Sequence, residues 1–345
     1  MIEDKIKLLR GPILVIGASG FIGANIYKRI FIQRSDVFGT TLSGNGWRIE
    51  DDENSNIFHF NKLEPIEFKT LLDKLKPKTI FDCSSFGAYS FEDNAELIHQ
   101  TNFLSLIEIF NILENYDLSI YVHSGSSSEY GLNSDKPTEQ SECIPNSHYS
   151  ISKVSASNLI KYFGYIKKLP VINLRLYSVY GPYEDTSRLI PVLCRNIQKK
   201  KLPVFADKNI SRDFIYIDDV IEMFLDVSIN INPKLYGQSF NVGTGREITL
   251  DEVASISRNI FSIKSIPKFN SSQNRAWDTK KWSSNTNKAK KAFNWEAKIK
   301  FEEGLKITQK WWSKTYKNYN HGKISKLHSK NKNSISAIVA CYKDG

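Results

Sequence analysis

Short apolar runs alternate, along the first half of the chain, with longer stretches in which apolar residues recur every three or four positions. The short runs predict buried parallel strands at Ile13–Ile16 and Ile57–Phe60 and at residues 37–41, 79–83 and 120–123. The periodic stretches predict helices that start near Ile22 and at about residues 68–75 and 94–115. Strands and helices in this alternation predict an α/β fold built on a doubly wound parallel sheet.

The second half of the chain has a less regular pattern from Pro182 onward, with longer polar connections between the apolar segments. We expect this part to form a smaller α/β lobe over the sheet, ending in a helix at residues 301–316. Residues 317–333 are rich in Lys, Asn, Ser and His, which predicts a linker. Residues 334–345 then return to a strand-like pattern.

Three glycines at three-residue spacing follow the first strand and open the first helix. Gly17 allows a sharp turn, Gly20 lets the backbone approach a pyrophosphate, and Gly23 lets the helix lie close to the sheet. The N–H groups and the positive dipole end of the helix then face the phosphates. Together with the alternating pattern, this turn predicts a Rossmann-type sheet that binds a dinucleotide.

The end of the second strand bears on the choice of dinucleotide. An acidic residue usually stands there and bonds the ribose hydroxyls of NAD, whereas this chain has Thr41, with Arg48 downstream. Without the carboxylate a 2′-phosphate is not repelled, and an arginine can pair with it. The sequence therefore favours NADP over NAD. Ser84 and Ser85 follow the fourth strand, at the sheet edge where ligands bind, and are further cofactor candidates.

Composition narrows the class of protein. The 345 residues are 41% hydrophobic, enough for one large unit, and no apolar run is long enough to span a bilayer. The residues before the first strand lack the apolar core of a signal peptide. Four widely spaced cysteines have neither metal-ligand spacing nor the look of a disulfide framework, as expected for a cytoplasmic protein. The net charge of +10 lies largely in late lysines without interleaved aromatic platforms, so a nucleic-acid partner is not expected.

A serine-rich segment after the fifth strand and a Tyr-x-x-x-Lys pair carry the candidate chemistry. Tyr149 and Lys153 lie four positions apart and share one face of a predicted helix. A lysine ammonium stabilises a tyrosine phenolate, which makes the tyrosine an effective base, and the same lysine can hold the nicotinamide ribose. The hydroxyl of a serine on a neighbouring strand end can orient a substrate hydroxyl. These residues predict an oxidoreductase-type site.

The chain resembles the extended short-chain dehydrogenase/reductases that act on nucleotide sugars: epimerases, dehydratases and reductases. The resemblance covers about residues 11–316. Its motifs include the glycine turn, Ser126 before Tyr130-Gly131, Tyr149-x-x-x-Lys153, the run at 174–182 that ends in Tyr-Gly-Pro, the run at 212–220 and the Asn-Val-Gly at 241–243. It implies one unit over residues 1–316, with a cofactor part at 11–181 and 213–245 and a substrate lobe at 182–212 and 246–316.

The resemblance also implies roles for individual residues. The catalytic residues would be Ser126, Tyr149 and Lys153. The cofactor would be bound by Gly17, Ser19, Gly20, Phe21, Ile22, Gly23, Asn102 and Tyr177, besides Tyr149 and Lys153. The nucleotide sugar would be bound by Ser127, Ser178, Leu189, Phe205, Arg212 and Arg275, since guanidinium groups suit a diphosphate. The family usually dimerises through helices near residues 102–115 and 150–163, which implies a homodimer.

Departures from the family pattern bear on the reaction. Ser178 stands where many relatives have Asn. The acid/base pair of the sugar 4,6-dehydratases corresponds in position to Ser127 and Ser128, and Glu129 comes one residue later. Without this acid, dehydration is less expected. The pattern favours NAD(P)-dependent epimerisation at C4, in which a transient 4-keto sugar forms and the hydride then returns to it. A 4-keto-6-deoxysugar reductase remains an alternative, because some of these reductases have a similar Ser-Ser-x-Glu-Tyr-Gly segment, and a 4,6-dehydratase is a third.

The end of the chain carries a second resemblance. Residues 335–345 are similar to the first strand of a family-2 glycosyltransferase domain, which would make this chain the front part of a fusion. The alternative is an apolar tail without its own fold. A catalytically silent cofactor-binding module attached to a glycosyltransferase is the non-enzyme alternative, but the intact Ser126, Tyr149 and Lys153 set argues against it.

Overall fold

The computed structural model describes residues 2–42, 47–49, 56–60, 64–89, 91–270 and 281–319. Seven parallel strands form its central sheet in the order β11-β6-β5-β4-β1-β2-β3. These strands are β1 (Ile13–Ile16), β2 (Val37–Leu42), β3 (Ile57–Phe60), β4 (Thr79–Asp82), β5 (Ile120–Ser126), β6 (Val171–Leu176) and β11 (Ser239–Val242). Strand order reverses between β1 and β4, and ligands bind beyond the carboxyl ends of the strands at such a point. The predicted doubly wound, Rossmann-type sheet is confirmed.

Six short strands pair two by two outside the central sheet. They are β7 (Ser178–Tyr180) with β10 (Phe214–Tyr216), β8 (Val204–Phe205) with β13 (Lys268–Phe269), and β9 (Ser211–Arg212) with β12 (Ile248–Thr249). The eleven α-helices in the described part of the chain are α1 (Ile2–Leu8), α2 (Phe21–Phe31), α3 (Pro65–Leu75), α4 (Ala95–His99), α5 (Ser105–Leu113), α6 (His148–Tyr165), α7 (Leu189–Gln198), α8 (Ile217–Ile229), α9 (Leu250–Phe261), α10 (Asn287–Phe293) and α11 (Phe301–Tyr319).

Helices cover both faces of the sheet because its strands are apolar on both sides. Leu14 and Val15 are neighbours in β1, yet their side chains enter different hydrophobic clusters, as the alternation along a strand requires. Val15 lies in the larger cluster, which includes residues of α2, α7, α8, α9 and α11. Leu14 lies in the second cluster, with residues of α3, α5 and α6. The two layers hold the strand ends rigidly around the site described below.

Several predicted bounds differ from the structure. The strand predicted at 120–123 runs on to Ser126, and the helix predicted at 94–115 is divided by a π-helical turn at Gln100–Leu104. Helix α11 continues to Tyr319, so the first three residues of the predicted linker are helical. The rest of that linker and the strand pattern at 334–345 lie outside the described residues. Helix α1, which the sequence did not predict, is tied to α8 by ion pairs from Lys5 to Glu222 and Asp226.

Two further features bear on the partners of the chain. No helix among the described residues is both long and apolar enough to cross a bilayer. The helices expected to form a homodimer expose large apolar side chains, among them Leu104, Ile151 and Tyr162. The homodimer itself stays a prediction.

Candidate active site

A cavity of about 250 Å³ opens at the carboxyl ends of the central strands. The glycine turn, the ends of β4 and β5, the first turn of α6, and β7 with the segment that follows it all converge there. The lining residues are Gly20, Phe21, Ile22, Cys83, Ser85, Ala88, Tyr89, Glu92, Ser124, Gly125, Ser126, Ser127, Ser128, Tyr149, Leu176, Tyr177, Ser178, Val179, Glu184, Arg188, Arg212 and Trp282. The cavity therefore brings together residues from widely separated parts of the sequence.

The glycine turn has the close geometry that its sequence predicts. Gly17 has a φ of 75°, and a Cβ there would lie 2.9 Å from the backbone nitrogen of Ser84. A Cβ on Gly23 would lie 2.2 Å from the carbonyl oxygen of Gly17, so only glycine lets the helix approach the turn. Gly20 is the N-cap of α2 and has no side chain to cap it, which leaves the first N–H groups of the helix to a ligand. This cradle fits a dinucleotide diphosphate.

Two of the three predicted catalytic residues, Ser126 and Tyr149, line the cavity, and the third, Lys153, lies beside Tyr149 without lining it. Ser126 is the last residue of β5, and its Oγ accepts a hydrogen bond of 3.1 Å from the backbone N–H of Ser128. Tyr149 lies in the first turn of α6 and is half-buried. Lys153 is buried; its Nζ donates to the carbonyl oxygen of Ser124 at 3.0 Å and lies 5.9 Å from the centre of the Tyr149 ring. The lysine is thus held under the tyrosine by the same strand end that carries the serine.

Two residues expected near the nicotinamide occupy different places. Tyr177 lines the cavity, and its buried hydroxyl has no hydrogen-bond partner among the described residues. Burial raises the pKa of this phenol, so the hydroxyl keeps its proton and can donate to a ligand. Asn102 does not line the cavity; its amide bonds the backbone N–H and carbonyl of Phe86 and the hydroxyl of Ser152. It therefore holds the segment after β4 in place.

The residues that favoured NADP have partners within the chain. Thr41 is buried, and its hydroxyl bonds Nδ1 of His59 at 2.8 Å. Nε of Arg48 donates to the carbonyl oxygen of Tyr183 at 2.6 Å, and its guanidinium lies 3.9 Å from the carboxylate of Asp185. Neither side chain lines the cavity. The positions of Thr41 and Arg48 therefore do not strengthen the prediction of NADP over NAD.

The remaining predicted cofactor residues are divided between the cavity wall and its support. Ser85 lines the cavity, whereas Ser84 supports it by donating to Oδ1 of Asp82 at 2.6 Å. Burial raises the pKa of Asp82, but hydrogen bonds from His123 and Ser84 outweigh it and lower the pKa to about 2. Asp82 is therefore an ionised acceptor that fixes the segment after β4. The carbonyl of Ser19 accepts a bond of 3.4 Å from Arg48.

The predicted substrate residues are only partly brought together. Ser127, Ser178 and Arg212 line the cavity. Leu189 and Phe205 do not; both belong to the large hydrophobic cluster, at the start of α7 and in β8, because their apolar side chains pack on the lobe's interior. Arg275 lies outside the described residues.

The place of a dehydratase acid/base pair is filled by neutral groups. The Oγ of Ser127 accepts a 2.8 Å hydrogen bond from Nε1 of Trp282, whose ring lies 5.6 Å from the guanidinium carbon of Arg212. Glu129 is fully buried and does not line the cavity; it bonds Nε of Arg175 at 2.6 Å behind the strand. Among the described residues that line the cavity, only Glu92 and Glu184 carry carboxyl groups.

Several lining residues were not predicted as site residues, among them five with ionisable or aromatic side chains: Tyr89, Glu92, Glu184, Arg188 and Trp282. The Tyr-Gly-Pro motif marked the approach to Glu184 and Arg188, and a polar segment after a strand end could have pointed to Glu92. Trp282 is 155 positions from its partner Ser127, and no local pattern connects them.

The fold and this cavity define a dinucleotide-dependent enzyme of the Rossmann type, with a serine, a tyrosine and a lysine at its reacting end. Comparison with known proteins makes this specific. Residues 13–243 match the NAD dependent epimerase/dehydratase family, and the chain belongs to that family. Curated relatives that match the chain include nucleotide-sugar epimerases and dehydratases.

Individual relatives are similar over nearly their whole length. A dTDP-glucose 4,6-dehydratase of Haemophilus influenzae is 25% identical over 334 residues, covering 87% of this chain and 97% of the relative. A UDP-glucose 4-epimerase of Mycolicibacterium smegmatis is 24% identical over 306 residues, covering 86% and 96%. Among solved structures, the UDP-glucose 4-epimerase of Thermotoga maritima with UDP-glucose has a TM-score of 0.78 at 24% identity, covering 88% and 99% of the two chains. The UDP-glucuronic acid 4-epimerase of Bacillus cereus with UDP-glucuronic acid and NAD has a TM-score of 0.75 at 20% identity, with the same coverage.

Proposed function

We propose that this protein is an NAD(P)-dependent nucleotide-sugar epimerase that acts at C4 of the sugar. The observation that carries the proposal is the arrangement around Ser126. Ser126 and Tyr149 line the cavity, and the buried Lys153 ammonium lies 5.9 Å from the centre of the Tyr149 ring, while the positions after Ser126 present neutral groups. These residues can move the proton of a sugar hydroxyl but supply no acid for eliminating water.

The proposed cofactor site is the glycine turn with Ser85 and Tyr177. The turn offers a cradle without side chains and the start of α2, and Tyr177 offers a hydroxyl that has no hydrogen-bond partner within the described ranges of the chain. The bound dinucleotide would supply the oxidising equivalent that turns the C4 carbinol into a ketone and would return it afterwards. The proposal includes both NAD and NADP, and dissociation constants for the two, measured side by side, test the preference for NADP predicted from Thr41.

Three residues of this chain would carry the proton transfer. Tyr149 removes the proton from the 4-hydroxyl and later returns it, and general base catalysis by a positioned side chain contributes about 10²–10⁴-fold in rate. The Ser126 hydroxyl bonds the reacting oxygen and keeps it in line with Tyr149. Lys153 stabilises the phenolate electrostatically, from a position fixed by the Ser124 carbonyl.

Arg212 and Trp282 would form the diphosphate end of the substrate site. The guanidinium lies over the indole ring, where a cation–π contact restricts its motion, and it lines the cavity. The indole is fixed in turn by its hydrogen bond to Ser127. Curated relatives act on UDP- and dTDP-sugars, which supports a nucleotide diphosphate as the ligand.

A 4-keto-6-deoxysugar reductase is the second candidate, since the same neutral surroundings of Ser126 suit the reduction of a ketone. The two reactions differ in stoichiometry. The epimerase interconverts C4 epimers without net use of cofactor, whereas the reductase consumes one reduced cofactor for each product. Proton NMR of UDP- and dTDP-sugars incubated with the protein, with cofactor absorbance followed in parallel, separates them. A 4-keto-6-deoxy product would instead establish a dehydratase and overturn the proposal.

The role of Tyr149 has a direct test. Tyr149→Phe removes the base but keeps the ring, so we expect turnover to fall by at least about 10²-fold while cofactor binding persists. Tyr162→Phe is the matched control, because Tyr162 is exposed on the same helix and should leave turnover unchanged. Full activity of Tyr149→Phe would refute the assignment.

A further inference from the structure

A tight turn follows β7, and one of its residues has a backbone conformation that is unfavourable for its type. The backbone N–H of Glu184 donates to the carbonyl of Gly181 at 3.4 Å, which closes the turn. Tyr183, inside it, has a φ of 67°, a left-handed conformation that is unfavourable for a residue with a bulky side chain. Such conformations persist where the surrounding structure fixes them, and they are common at functional sites.

Three contacts fix this turn next to the phosphate-binding helix. Asn25, in α2, donates to the carbonyl of Pro182 at 2.9 Å. Arg48 donates to the carbonyl of Tyr183 and also to that of Ser19 in the glycine turn. The Tyr183 ring packs on Trp311, with ring centres 4.8 Å apart. The turn is thus bound to the glycine turn and to α2, and it directs the next side chain, Glu184, into the cavity wall.

Glu184 contributes a buried carboxyl to the cavity wall, and one oxygen of this carboxyl lacks a hydrogen bond within the described part of the chain. The residue is 5% exposed and lines the cavity together with Gly20, Phe21 and Ile22. Its Oε2 has no hydrogen-bond partner in the part of the chain that the structure describes. A buried polar atom without a partner is costly, so a bound ligand is the natural source of one.

The charged and titratable groups around Glu184 come from every neighbouring segment. They are Arg48 after β2, Tyr89 and Glu92 after β4, Tyr180 in β7, Asp185 and Arg188 in its own loop, and Cys194 in α7. Burial raises the pKa of Glu184 to about 8, although Arg188 opposes this. The side chain is therefore mainly a neutral acid near neutral pH, able to donate a hydrogen bond.

We propose that Glu184 donates a hydrogen bond to the diphosphate of the dinucleotide bound at the glycine turn, so that cofactor binding requires this carboxyl to be protonated. The inference rests on the cofactor site described under the proposed function. A carboxylate at this place would repel the diphosphate, whereas a carboxylic acid supplies the donor that an anion needs. The turn that contains the left-handed Tyr183 positions the Glu184 carboxyl in the cavity wall.

The test measures the binding of ADP-ribose by calorimetry. ADP-ribose carries the diphosphate but lacks the nicotinamide. It keeps the ribose that Lys153 can hold, but Tyr149 and Lys153 are the same in every protein compared, so a difference in pH dependence between the proteins reports on the substituted carboxyl. For the wild-type protein we expect affinity to fall about tenfold between about pH 7 and about pH 9, as the carboxylate forms. Glu184→Gln keeps a neutral donor of the same shape and should bind with nearly constant affinity over this range. Glu92→Gln, which changes the other carboxyl of the wall, should keep the wild-type pH dependence.

A second measurement needs no variant. Above the pKa of Glu184, binding should take up a proton, which is seen as a difference in binding enthalpy between two buffers of different ionisation enthalpy. Equal pH dependence in the wild type and Glu184→Gln, or its loss in Glu92→Gln, overturns the inference alone. Failure of ADP-ribose to bind at any pH overturns the cofactor site as well. Binding of ADP-ribose without turnover of any nucleotide sugar overturns only the proposed reaction.

Discussion

Glu129 allows a direct test of what a buried carboxyl does behind Ser126, the proposed catalytic serine. Its carboxylate is fully buried and accepts hydrogen bonds from Nε of Arg175 at 2.6 Å, from Nδ2 of Asn173 at 3.1 Å, and from the backbone N–H of Ser126 at 3.2 Å. Arg175 is also buried. Glu129→Gln keeps the shape of the side chain but removes the counter-charge of the arginine.

The magnitude follows from the burial of both partners. Removing one member of a buried ion pair typically costs about 3–5 kcal/mol, because the other charge stays desolvated without compensation. The glutamine can still accept from Asn173 or Ser126, so we expect a loss near the lower end, about 3 kcal/mol in the free energy of unfolding. An exposed control, Glu108→Gln, should change stability by less than about 0.5 kcal/mol.

Urea unfolding of four proteins completes the assay: the wild type, Glu129→Gln, Arg175→Met and the double variant. If the pair is the main interaction, the double variant will lose less than the sum of the single losses. A change below about 0.5 kcal/mol for Glu129→Gln would refute the reasoning. Turnover adds a second readout: a large loss of kcat with unchanged stability would mean that Glu129 acts chemically, as the acid of a dehydratase does.

Three further expectations concern the substrate end, the buried acid and assembly. Trp282→Phe keeps the ring but loses the hydrogen bond to Ser127, so KM for the nucleotide sugar should rise several-fold with little change in kcat; the reverse pattern in steady-state kinetics would contradict this. The folded Glu184 keeps its proton up to a pKa of about 8, above its ordinary 4.5, so stability falls as pH rises between these values, and Glu184→Gln should be more stable than the wild type near pH 8 in urea unfolding. Equal stability of the two proteins there would contradict the burial of that acid. Light scattering should give a dimer mass for the wild type and a monomer mass for Ile151→Glu, and a monomeric wild type would remove the expected homodimer.

The sheet was predictable because its signals are local. Strands of a parallel sheet are apolar on both faces, so their runs stand out in the sequence, and the glycine turn follows β1 directly. The proximity of Tyr149 and Lys153, the proposed catalytic pair, was predictable for the same reason, since the two residues share one face of α6. The π-helical turn at Gln100–Leu104 was not predictable, because apolar periodicity indicates a helix without distinguishing a single π-helical turn within it.

Residues that meet only through tertiary packing lie apart from the cavity or were not predicted. Arg48 was expected at a 2′-phosphate, but its Nε bonds the carbonyl of Tyr183, which is 135 positions away. Leu189 and Phe205 were expected at the substrate, yet they pack in the core, where an apolar side chain gains more from burial than from a polar ligand. Glu184 follows a recognisable motif, but the sequence does not show the left-handed Tyr183 that turns it inward.

The last residues of β5 position several of the proposed catalytic groups. The Ser124 carbonyl fixes Lys153, and the Ser126 hydroxyl faces the cavity. Between them Gly125 has no room for a side chain, because a Cβ would lie 2.1 Å from Oδ1 of Asn173 and 2.8 Å from Oε1 of Glu129. The ion-paired carboxyl of Glu129 therefore packs directly behind Ser126 and does not line the cavity. A buried ion pair on one side of the strand and neutral hydroxyls on the other thus have a common cause in Gly125, and this is the arrangement that the proposed proton transfer at a sugar hydroxyl requires.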